Sequence, residues 1–90
     1  MTEQGRETQL VEQYYDKIDR LVEVDIGDFK RKTGSYLLRL RDSLAGVPDP
    51  APRRIIEELR HQVVYKAGGD IETLRHVLLD GLDQLKTHLQ

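Results

Sequence analysis

The stretch DIETLRHVLLDGLDQLKTHL, residues 70–89, decides the fold. Ile71, Leu74, Leu78, Leu82, Leu85 and Leu89 recur at intervals of 3, 4, 4, 3 and 4, which places all six on one stripe of an α-helix. Asp70 stands just before the stripe as an N-cap, its carboxylate able to accept from the free amides of the first turn. Gly81 sits beside the stripe, where glycine costs about 1 kcal/mol relative to alanine. Close approach of another helix accounts for it.

Working back from Asp70, the pair Gly68-Gly69 supplies a left-handed stop for a third helix with Ile55, Ile56, Leu59, Val63 and Ala67 on its stripe. Before that helix, GVPDPAP (46–52) breaks the chain, because each proline removes an amide donor and pushes its predecessor out of helical torsions. Asp49 then reads as N-cap and Pro50 as the first helical residue. A second helix carries Ile26, Phe29, Thr33, Leu37, Leu40 and Leu44 on one side, with Gly34 marking a kink or a start. A first helix carries Leu10, Val11, Tyr14, Tyr15, Ile18, Leu21 and Val22, with residues 1–6 frayed. The expectation is an all-α chain, one four-helix domain over 1–90, antiparallel and bundle-like, with helices at about 7–24, 28–45, 50–67 and 70–89.

Ninety residues, 38% apolar and 33% charged, suit one domain with a modest core, for which a partner chain is a plausible source of extra stability. The absence of cysteine removes disulfides, thiolate metal sites and a thiol nucleophile. No apolar run approaches the roughly 18–20 residues that span a bilayer, and the first ten residues lack a signal-peptide layout, so a cytoplasmic protein without a membrane partner is expected.

Charge is uneven along the chain. Residues 1–28 hold eight acids against three cations, whereas residues 29–54 hold seven cations against two acids. The basic run FKRKTGSYLLRLR (29–41) supplies a candidate polyanion surface made by Arg31, Lys32 and Arg39 of helix two with Arg53 and Arg54 of helix three. On a helical wheel its cations spread broadly, and Phe29 and Tyr36, which could otherwise stack on bases, turn toward the buried side. An acidic helix beside a basic one explains the same division without a ligand.

Catalytic and metal chemistry find little footing. Glu58 and His61 have the E-x-x-H spacing of bundle metal sites, and Glu72 and His76 lie four apart, but the wheel turns both histidines to water. Arg54 and His61, with six residues between them, resemble the Arg/His pair of helical HEPN-type ribonucleases. Such a pair arises by chance in Arg-rich helices and the chain is short for that family, so no catalytic role follows. Phosphate loops and nucleophile elbows are absent from the sequence, and no cofactor is implied.

Some apolar residues fall off the stripes: Leu38 on helix two, Val64 and Tyr65 on helix three, Val77 and Leu79 on helix four. Several on wide-faced helices suggest a second buried surface. Together these features point to a non-catalytic, small helical protein-interaction or regulatory module that self-associates as a homodimer or docks a protein partner. Nucleic-acid binding through the basic face of helices two and three is the alternative.

Overall fold

The computed structural model describes residues 3–23, 25–66 and 69–89, which form four α-helices and no strand. Helix α1 spans Glu3–Arg20, α2 Ile26–Ser43, α3 Ala51–His61 and α4 Ile71–Leu89, and a π-helical turn at Gln62–Lys66 continues α3. The chain is therefore the all-α, four-helix protein that the stripes imply. Its helices run up and down: Arg75 at the start of α4 meets the end of α1, while Lys86 near the end of α4 pairs with Glu12 midway back along α1. Packing is heaviest between α1 and α4, then between α3 and its neighbours α4 and α2.

The α4 stripe forms the centre of the core. Leu74, Leu78, Leu82 and Leu85 are fully buried, and Phe29, Leu37, Leu40 and Leu44 of the α2 side meet Ile18, Ile56 and Val63 around them. Thr33 is the one polar residue in this core among the described residues. Its hydroxyl donates to the Phe29 carbonyl at 2.8 Å, which satisfies it within the helix. Tyr36 is half-buried against Tyr14 of α1, their ring centroids 6.0 Å apart.

Asp70 caps α4 by accepting from the Thr73 amide at 3.2 Å and the Thr73 hydroxyl at 2.8 Å. Asp25 caps α2 by accepting from the Asp28 amide at 3.0 Å, so α2 begins at Ile26 and not at 28. Helix α3 starts one residue later than the Asp49-Pro50 reading implies. Pro50 is the N-cap and Pro52 lies in the first turn, while Asp49 accepts from the Ala51 amide at 3.0 Å.

Other boundaries also move. Helix α1 begins at Glu3, inside the segment expected to fray, because Glu, Gln and Arg favour helix and its acids suit the N-terminal end of the dipole. It stops at Arg20, leaving Val22 84% exposed outside the stripe; Val24, the expected end, lies outside the described residues. The cause is Arg75, whose Nη1 takes the carbonyls of Ile18, Asp19 and Leu21 at 2.7, 3.0 and 3.0 Å. Helix α3 leaves the α-helical path at His61, ahead of the glycines, where the adjacent β-branched Val63 and Val64 fit a tight helix poorly. Gly69 does not adopt positive φ, and Ala67 and Gly68 lie outside the described residues.

The two internal glycines have different reasons. A Cβ on Gly81 would fall 2.6 Å from Leu59 Cδ1 and 2.7 Å from Leu59 Cγ, so α3 sits in a notch that only glycine leaves open. A Cβ on Gly34 would meet nothing within 4 Å. Gly81→Ala therefore lowers stability by about 1 kcal/mol or more, overpacking outweighing helix propensity, while Gly34→Ala raises it by about 0.5–1 kcal/mol; paired urea denaturation curves measure both.

Candidate functional site

With Pro52, Ile56, Leu59 and Val63 buried, the exposed positions of α3 form its outer face. Arg54, Glu58, His61 and Tyr65 follow one another at intervals of 4, 3 and 4, the same periodicity as the buried stripe but on the opposite side. They line an open groove of ≈ 850 Å³, together with Arg60, Glu57 and, from α2, Arg41. At one end Pro50 and Arg53 close it; at the other stands Tyr65 on the π-helical turn, 75% exposed, its ring 5.2 Å from that of His61.

Glu57 organises the groove. Its carboxylate accepts from Arg41 across the α2–α3 seam and lies 3.7 Å from Arg60. The hydrogen bond and charge of Glu57 raise the Arg41 guanidinium pKa above its ordinary value. Arg54 makes no ion pair among the described residues and is exposed. Cationic forks and a wet tyrosine beside an aromatic neighbour make a surface suited to carboxylates and to a partner's apolar edge.

Of the five residues expected to meet a polyanion, three are engaged within the chain. Arg31 pairs with Asp28 and Lys32 with Glu23; the Glu23 hydrogen bond and charge raise the Lys32 pKa. Arg53 is half-buried, with Nη1 near the carbonyls of Val47, Ala45 and Leu44 at 3.1, 3.4 and 3.5 Å, where it closes the end of α2. Arg39 is exposed and unpaired among the described residues, but only Arg53 and Arg54 of the five line the groove.

Of the apolar residues expected at an interface, Val77 and Leu79 are half-buried and pack against the core, and Leu38 is half-buried. The breadth of α4 is thus used inside the bundle. Val64, 37% exposed, and Tyr65 remain outside. Sequence reasoning missed Arg41, Glu57 and Arg60 as members of the groove. The helical spacing of polar residues along α3 carries part of that signal, whereas the Arg41–Glu57 contact depends on packing.

Glu58, His61, Glu72 and His76 are all exposed, and no group of three or more potential metal-ligating side chains occurs among the described residues. No described helix is long and apolar enough to cross a membrane.

Arg53 and Arg54 are adjacent but differently placed. Arg53→Met should lower stability by about 1–2 kcal/mol, because the carbonyls of the α2–α3 connection lose a charged donor, whereas Arg54→Met should change it by less than about 0.5 kcal/mol. Thermal and urea denaturation followed by circular dichroism distinguish the two. No protein-family model, curated protein or solved structure matches the chain.

Proposed function

We propose that the chain is a non-catalytic protein-interaction module that docks through the groove on α3. The observation that carries this reading is Tyr65, three-quarters exposed at the edge of an arginine-lined surface and held beside His61. Tyrosine and arginine are the residue types on which interface energy concentrates, tyrosine because it gives large contact area with little rotamer entropy. The π-helical turn that presents it is a distortion that recurs at functional positions. Cytoplasmic residence belongs to the same reading, and the cysteine-free sequence is compatible with it.

Polyanion binding is the second reading, favoured by exposed Arg39 and Arg54, which have no ion-pair partner among the described residues. Internal pairing of Arg31 and Lys32 reduces the charge such a surface offers.

A photoreactive phenylalanine analogue placed at Tyr65, and separately at exposed Ser35 between Lys32 and Arg39, tests both readings in cells. Discrete protein adducts at position 65 support the interaction module. Nucleic-acid adducts at position 35, with no protein adduct at 65, would transfer the function to polyanion binding. No adduct at either position would remove both.

A further inference from the structure

Charge divides the bundle into two halves. By sequence, α1 and α4 hold eight carboxylates against five cations, while α2 and α3 hold eight cations against four carboxylates. Among the described residues no ion pair joins a helix of one half to a helix of the other. Glu12 pairs with Lys86 at 3.2 Å inside the acidic half, Arg41 pairs with Glu57 inside the basic half, and Lys32 pairs with Glu23 of the α1–α2 connection. Two cations of the acidic half face aromatic rings at the seam. Lys17 Nζ lies 5.0 and 5.7 Å from the Tyr14 and Tyr36 rings, and the Arg75 guanidinium lies 5.4 Å from the Phe29 ring.

That acidic half carries its own cleft, ≈ 260 Å³, between α1 and α4. Buried Val11 and Leu82 line it, Tyr15 stands at its rim 37% exposed, and Glu12 and Asp83 flank it with Lys86. Its apolar floor is flanked by two carboxylates and one lysine; Glu12 already pairs with Lys86, while Asp83 makes no ion pair among the described residues, so the cleft offers an apolar seat and a free acid to an exposed tyrosine beside arginines.

We propose that this cleft receives Tyr65 of a second copy of the chain, with Arg54 and Arg60 of that copy set against Glu12 and Asp83. The inference rests on the interaction reading above and names its partner. The two surfaces belong to different halves of one bundle, so a single chain cannot close the contact on itself. Such a contact is heterologous and propagates head to tail beyond a dimer. Complementary charge sets its orientation, and the buried tyrosine sets its lifetime.

Sedimentation velocity of the purified chain tests it, from roughly 10 to 500 µM protein at about 20 and 300 mM salt, a range over which the screening length shrinks severalfold. The expected result is species larger than dimer at low salt and a return toward monomer at high salt. Arg54→Glu with Arg60→Glu, and separately Glu12→Lys with Asp83→Lys, should each give a folded monomer by circular dichroism, and their equimolar mixture should associate again. Tyr65→Ala should weaken association about tenfold or more, as removal of a central tyrosine anchor does. A wild-type chain that stays monomeric throughout, association that these variants leave unchanged, or a mixture that does not recover would overturn the proposal. Protein adducts of a different mass at position 65 would then still support an interaction module, with another partner.

Discussion

The packing of Leu59 against Gly81 is the contact on which the outer face of α3 depends. Interhelical distance follows the side chains at the crossing, and here the α4 side contributes none, so the Leu59 side chain occupies the space a Cβ would take. This fixes α3, a helix of only 11 residues, with Ile56, Leu59 and Val63 inward. The outward direction of Arg54, Glu58, His61 and Tyr65 follows from that choice. The groove is therefore the geometric counterpart of a core contact and needs no loop to hold it open.

Two arginines do for the ends of α2 and α1 what a C-terminal glycine does elsewhere. Arg53 of α3 reaches the C-cap carbonyl of α2 at Leu44 and those of Ala45 and Val47 just beyond it, and Arg75 of α4 reaches the last carbonyls of α1, in each case with one guanidinium nitrogen. Helix C-termini carry partial negative charge, and hydrogen bonds from a charged donor contribute about 1.5–3 kcal/mol each, so these contacts stabilise the two helix-to-helix turns more than surface ion pairs can. They also remove cations from the solvated surface. The basic appearance of residues 29–54 consequently overstates what the folded chain can offer a polyanion.

Periodicity made the architecture legible, because burial of one stripe per helix is a property that residue spacing reports directly. The six-residue stripe of α4, the Asp70 cap and the reason for Gly81 all belong to that class. The early end of α1 was not legible, since it is set by Arg75, more than fifty residues away in sequence. The π-helical turn escaped because the burial pattern does not report it: Val63 is buried on the expected stripe and Val64 and Tyr65 lie off it, as a regular helix also implies. Part of the site could be read from α3 alone, but Arg41 joins it through a contact between helices, and single-helix wheels contain no such information.

Charge segregation between the two halves is not accounted for by folding. Exposed ion pairs contribute at most about 1 kcal/mol, and those present lie within a half or at the α1–α2 connection. Where α1 meets α2, the contact is made by Tyr14 and Tyr36 with Lys17 over their rings, not by an acid facing a base. An intermixed set of surface charges would serve the same core equally well and would reduce repulsion between like charges within each half. The exposed Tyr65 poses the same question, since no core contact requires three-quarters of its surface to be wet. A single partner surface that is both acidic and apolar answers the two together, and the α1–α4 cleft of this chain has both properties.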